Sequence, residues 1–298
     1  MLSLFLKKLA REKLKGIYLN TVLGQLICFI PAYLLSAFAI ILSHKSGNVA
    51  ITLIISLIGQ ILILDIFDVG YIRSLLDAND RTDADEKKYD INIVLSGFSQ
   101  NYANTLKTMF LRRLYLFGWG GLMFLPILIA VGTIAFLSTR PEVAGLISYV
   151  TQLMSSPTLD MITNINDYIV ENCAYVMYII SGASLVSLIL LIPYIRKSYL
   201  YEMIPMIIAE NPDISSAEAF QKTKQIMHGY RLKYFVLELS FIGIMFLVSL
   251  AEYVAPESLI TYIATAAAMP YITMTFIQFY LSRTRTLTAE SDENKDIQ

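Results

Sequence analysis

Long stretches of this chain carry no charged side chain, and they alternate with stretches in which charges cluster. The apolar runs fall at about residues 17–42, 49–64, 114–139, 173–195, 234–250 and 259–281, the fifth interrupted by Glu238. A hydrocarbon layer about 30 Å thick takes about 20 residues of helix to cross, because only a helix satisfies its own backbone where water is absent. The second run is short, but it reaches full length if the helix continues through Asp65 and Asp68 into Tyr71 and Leu75. The pattern therefore predicts an all-α, polytopic membrane protein with six transmembrane helices in residues 17–281. The run at 17–42 is too long for a cleaved signal segment, whose apolar part spans about 7–15 residues.

Between the apolar runs the periodicity changes. In residues 1–16, Leu2, Phe5, Leu6 and Leu9 fall on one helical face and Lys8, Arg11 and Lys15 on another, the pattern of a basic amphipathic helix lying in a headgroup layer or of a basic flank that sets topology. Residues 213–228 open with Ser215-Ser216-Ala217-Glu218, a capping-box spacing, and close at Gly229, a favoured helix stop. A weaker amphipathic signal runs from Asp90 to Lys107, after a solvated acidic loop that includes Asp80, Asp83, Asp85 and Glu86. Residues 282–298 read as a polar, disordered tail.

Charge placement adds sidedness. The segments at 1–16, 69–113, 196–233 and 282–298 hold five, seven, six and three Lys and Arg residues, 21 of the 23 in the chain, and the remaining two are Lys45 and Arg140. Cytoplasmic segments keep positive charge during insertion, so both termini are expected in the cytoplasm and the protein in the plasma membrane. Composition agrees with this class: 56% of residues are hydrophobic and 16% charged, against about 25% charged in soluble domains. A net charge of −1 removes any global electrostatic case for nucleic acid as a partner. Cys28 and Cys173 lie in apolar stretches and read as small hydrophobes.

Two stretches are alike. Tyr71-Ile72-Arg73 ends the second helix and Tyr194-Ile195-Arg196 the fourth, each followed by an amphipathic connection and then by Leu-Lys, at Leu106-Lys107 and Leu232-Lys233. This fits two parallel copies of one hairpin, and it equally fits the shared preference of Tyr and Arg for a membrane interface. Further along, Ala209-Glu210-Asn211-Pro212, Ala217-Glu218-Ala219-Phe220, His228-Gly229-Tyr230-Arg231 and Leu237-Glu238-Leu239-Ser240-Phe241-Ile242-Gly243, with Arg11-Glu12-Lys13-Leu14-Lys15-Gly16 and Gly70-Tyr71, resemble a bacterial integral membrane family catalogued as domain of unknown function 975. The resemblance covers nearly the whole chain. It departs from the family at Tyr194, where the family usually has Gly, and in a longer outer stretch at 138–171. At greater distance the chain resembles the membrane domain attached to some glycerophosphodiester phosphodiesterases, which implies a lipid-adjacent role by association only.

Candidate chemistry is sparse. The two histidines, His44 and His228, build no metal site or triad, no phosphate loop or nucleophile motif occurs, and the outer carboxylates Glu142, Asp160, Asp167, Glu171, Glu252 and Glu257 are scattered. No cofactor and no catalysis within the chain are expected. The informative residues are acids inside apolar helices. Counted at 1.5 Å per residue, Asp65 sits about 24 Å from Val49, Asp68 lies one turn on, and Glu238 lies about 7 Å past Lys233, so all three fall at one depth near the cytoplasmic boundary. Charges there need a partner, and Arg73, Arg112, Arg113 and Arg196 enter at the same level. The expected site is a polar cluster of Asp65, Asp68, Arg112, Arg113, Arg196 and Glu238, with Lys8, Arg11 and Lys15 touching the lipid surface. The alternative for each acid is a charge that snorkels or caps a helix near the interface.

Two functions fit. One is a non-enzymatic module that engages anionic inner-leaflet lipid or a membrane partner through its basic cytoplasmic helices. The other is a small permease or channel that uses the acidic level and helices broken at Pro31, Pro126, Pro193, Pro205 or Pro270. Gln25 and Gln60 are the polar residues nearest mid-depth, and such side chains more often bond between helices than to a ligand.

Overall fold

The computed structural model describes residues 2–46, 49–81, 89–155, 159–254 and 259–296. Among them all regular structure is helical. In chain order the helices are α1 (Leu2–Leu14), α2 (Tyr18–Ser46), α3 (Val49–Gly59), α4 (Asp65–Asp80), α5 (Ser96–Ser99), α6 (Tyr102–Phe136), α7 (Pro141–Ser155), α8 (Leu159–Asn172), α9 (Ala174–Leu200), α10 (Ile204–Glu210), α11 (Ser216–Met227), α12 (Arg231–Leu239), α13 (Ile242–Val254) and α14 (Leu259–Asp296). Five helical stretches are long and apolar enough to cross a membrane, and α12 with α13 make a sixth if that bent pair is one span. Asp83, Asp85, Glu86 and Lys87 lie outside the described residues.

Prolines do not mark the breaks. Pro31, Pro126, Pro193 and Pro270 sit inside continuous helices, and Pro205 lies in the first turn of α10, where its missing N–H costs nothing. The second span instead contains a π-helical turn, Gln60–Leu64, and continues through Asp65 into α4 as its short apolar run requires. The other break is a 50° bend between α12 and α13 at Ser240 and Phe241. Past Leu281 the last helix also continues, to Asp296, and Arg283 is buried, so the tail expected from residue 282 begins as packed helix.

The chain divides into two compact units. In the first, 1–113 with 199–298, α4 is central. The segment after it does not form the one amphipathic helix expected from Asp90: a 3-10 turn at Ile91–Leu95 and α5 are cut off from α6 at Asn101, which adopts φ 49°. This segment lies directly on α4 at two glycines. A Cβ on Gly70 would stand 1.9 Å from the Val94 carbonyl oxygen, and one on Gly97 would stand 2.7 Å from that of Ile66. Against α4 from another direction packs α10, whose residues from Ile204 to Ala209 are all buried. α11 starts as expected, with Ser215 and Glu218 capping each other and holding the Glu218 carboxyl below the ordinary carboxylate range, and the chain turns away at Gly229, φ 71°.

In the second unit, 114–198, the described residues of the long stretch at 138–171 are mostly helical, in α7 and α8. There α7 and α8 pack on a small core of Val143, Leu146, Cys173 and Val176, and the Glu142 carbonyl accepts from Tyr168 Oη at 3.0 Å.

Close approach at Gly70 yields a prediction. Gly70→Ala pushes a methyl group into backbone that cannot swing aside, and detergent-solubilised protein should lose about 1–3 kcal/mol of stability. Gly118→Ala, where a Cβ meets nothing within 4 Å, is the control and should not lower the melting temperature. Equal melting of both variants would mean that the Val94 turn does not rest on α4.

Candidate functional site

The expected charged residues of the first unit that are drawn inward fall in separate groups, around Asp65, Arg112 and Arg73, rather than in one cluster. Asp65 is the deepest acid, its side chain 2% exposed, and both of its carboxylate oxygens accept from the Arg113 guanidinium in a bidentate pair. Gln60, at the start of the π-helical turn, adds a long hydrogen bond of 3.4 Å to Asp65 Oδ1. One residue earlier on α6, Arg112 donates through Nε to the Tyr201 carbonyl at 3.1 Å and pairs with Glu202 at 3.0 Å. Arg73, buried on α4, faces no carboxylate. It donates to the Ile208 and Ala209 carbonyls at the end of α10, to Ser96 Oγ at 3.0 Å and to Gln100 Oε1 at 2.9 Å. That answers the cost of burying a guanidinium, since its fork finds four neutral acceptors in fixed positions.

Three expected members stand apart. Asp68 is exposed and makes no hydrogen bond or ion pair among the described residues; Arg113 bonds Asp65 and Arg112 bonds Glu202 instead. Glu238 is exposed and accepts from Tyr199 Oη at 2.6 Å. The count from Lys233 runs along one continuous helix, α12, and gives a distance along its axis but not a face; Glu238 lies on an exposed face of that helix. Arg196 belongs to the second unit and is exposed. The two Tyr-Ile-Arg stretches accordingly serve different roles: Tyr71 and Arg73 are buried in contacts of α4, whereas Arg196 is at the surface.

Basic residues of α1 divide by face. Leu6, Ala10 and Leu14 are buried, and α1 packs against α14. From the flanks of that seam Lys7 donates to the Ser240 carbonyl at 2.7 Å, and Lys13 to the Asn79 carbonyl at 2.6 Å. Lys7 also lies 4.0 Å from the centre of the Phe241 ring, and burial, followed by repulsion from Arg11, lowers its pKa. The opposite face carries Leu4, Lys8, Arg11 and Lys15, all exposed, spaced by four, three and four residues. Lys8 lies 4.0 Å from Glu12, and Arg11 reaches from the edge of this face to Tyr271 Oη at 3.1 Å. Of the three expected lipid contacts, Arg11 thus has a protein partner as well. Among the described residues no three of His, Cys, Asp and Glu gather as metal ligands.

Sequence reasoning missed α10 and its clasp by Arg73. The run from Met203 to Ala209 is uncharged, a usable signal, but seven residues are too few to stand out among longer apolar runs.

An all-helical chain with five to six apolar helices long enough to cross a membrane, and its charges concentrated outside the apolar runs, is a multi-span membrane protein. The chain belongs to the family described as protein of unknown function (DUF975), whose model matches residues 1–286. No curated protein and no solved structure matches it, and the more distant likeness to the phosphodiesterase membrane domain has no match behind it.

The Asp65–Arg113 pair is unequal in burial, 2% against 34% for the two side chains. Arg113→Met strands a carboxylate away from water and should cost about 3–5 kcal/mol, whereas Asp65→Asn leaves a guanidinium that water can reach and should cost clearly less. Combining the two should cost less than their sum. Thermal melts in detergent showing equal, additive losses would contradict this pair.

Proposed function

We propose that the chain is a non-enzymatic plasma-membrane protein, with both termini in the cytoplasm, that engages anionic inner-leaflet lipid through α1. The observation that supports this reading is the division of α1 into two faces: one docked on α14, the other presenting Leu4 beside Lys8, Arg11 and Lys15. A helix held parallel to a charged leaflet gains about 1 kcal/mol for each cation near the surface, and a neighbouring apolar side chain adds burial in the headgroup layer. The 21-to-2 division of Lys and Arg among the connections supports the orientation. The permease alternative needs acids free to meet an ion, and of the three expected ones Asp65 is held by Arg113 and Glu238 by Tyr199, which leaves Asp68 by itself rather than an acidic layer.

The test uses full-length protein in bilayers of mixed composition. Spin-labelled phosphatidylglycerol should be more motionally restricted by the protein than spin-labelled phosphatidylcholine. The difference should shrink on Lys8→Gln with Lys15→Gln and as salt rises to about 1 M, where screening acts within about 3 Å. Equal restriction of the two lipids would refute the reading. In a background without Cys28 and Cys173, single cysteines at Lys45 and Arg140 should label from outside and one at Lys222 from inside; any reversal refutes the orientation.

A further inference from the structure

Two recesses in the first unit lie on either side of Tyr18 and Tyr271, which line both. One, of about 430 Å³, is lined by Arg11, Glu12, Lys15, Tyr18 and Tyr271 near the junction of α1 and α2. The other, of about 320 Å³, shares Tyr18 and Tyr271 and is otherwise apolar, with Leu247 and Val248 of α13 on one wall and Ala264 and Ala268 of α14 on the other. The two tyrosines are fixed by partners of their own. Tyr18 Oη donates to the Ala267 carbonyl, and Tyr271 Oη accepts from Arg11 Nε. Arg11 also lies 5.3 Å from the centre of the Tyr271 ring.

We infer that these two adjoining recesses together form a discrete site for one anionic glycerophospholipid, its phosphate between Arg11 and Lys15 and an acyl chain passing the two tyrosines to lie along the wall of α13 and α14. The occupant follows from the order of chemistry along the site: cations, then two amphipathic rings, then aliphatic side chains, the sequence of polarity in a phospholipid from headgroup to chain. Charge selects within that class. Arg11 and Lys15 face the recess together with Glu12, two cations against one carboxylate, which leaves a net positive end that favours a phosphodiester without an ammonium group. Arg11 uses Nε on Tyr271, and its two terminal guanidinium nitrogens, which bond to nothing else among the described residues, have the geometry of a fork on phosphate. The apolar half extends about 10 Å along α14, from Ala264 to Tyr271, at 1.5 Å per residue.

This site rests on the reading that α1 faces an anionic leaflet, and the test separates the two. Full-length protein in mild detergent is titrated with phosphatidylglycerol or phosphatidylcholine and examined by native mass spectrometry. One phosphatidylglycerol per chain should survive washing that strips the rest, with a preference over phosphatidylcholine of roughly tenfold or more, the effect expected of two interfacial cations. Arg11→Gln with Lys15→Gln should abolish the preference. Ala268→Phe, or Val248→Phe from the opposite wall, should abolish retention with the cations intact, in whichever variant keeps the wild-type melting profile. Glycerophosphoglycerol, the headgroup without chains, should not compete. Lys8→Gln should leave the retained lipid in place while reducing the bilayer enrichment described above. Retention that survives both wall substitutions, or falls as much with Lys8→Gln as with the pair in the site, would overturn the discrete site while leaving the surface reading intact. Loss of bilayer enrichment as well would remove both.

Discussion

Helices that end inside a protein leave carbonyl groups without donors, and in this chain cations fill that need. Arg73 takes the carbonyls at the end of α10, Lys7 that of Ser240 after α12, Lys13 that of Asn79 in the last turn of α4, Arg112 that of Tyr201 after α9, and Arg283 that of Ile226 in the last turn of α11. Five helix C-termini therefore each receive a Lys or Arg from elsewhere in the chain. Orphan carbonyls and the negative end of the helix dipole favour a cation at this position, and the donor spares the carbonyl from being buried unpaired. The residue types divide by burial. Arg73, deep on α4, presents several donors in fixed directions and finds acceptors for them, whereas Lys7 and Lys13 each serve one carbonyl from the flank of α1.

This arrangement gives the basic residues between and beside the apolar runs two occupations. Those turned inward, Lys7, Lys13, Arg73, Arg112, Arg113 and Arg283, hold helices to one another. Those turned outward on α1, Lys8 and Lys15, remain for the surroundings, and Arg11 stands between the two sets with one nitrogen on Tyr271. A count of cations per segment speaks only to sidedness. The lipid-facing role proposed for α1 depends on the structural role of its other face, because a docked helix cannot turn its cations away from the surface to which it is held.

Much of the architecture was legible in the sequence, for identifiable reasons. Uncharged runs locate apolar helices because a charge in hydrocarbon is costly, the shortness of the run at 49–64 required extension through Asp65, and the Ser215/Glu218 box with Gly229 marked both ends of α11. What was not legible depends on partners far away in sequence. Four arginines were candidates for Asp65, and only packing selects Arg113, 48 positions on. The bend at Ser240 has no proline to announce it; its free carbonyl is met by Lys7, 233 positions earlier. Local similarity also misled where the tertiary setting differs, as with Tyr71-Ile72-Arg73 against Tyr194-Ile195-Arg196.

The central claim is that α1 is a docked part of the bundle with one face turned to the membrane surface. Single cysteines placed along α1 of the full-length protein in bilayers, in a background lacking Cys28 and Cys173, test it through their rates of reaction with a water-soluble maleimide. The account predicts a helical period of about 3.6 residues, with positions 6, 10 and 14 protected and positions 4, 8 and 15 reactive. Uniform reactivity from position 4 to position 15 would show a free tether and contradict it.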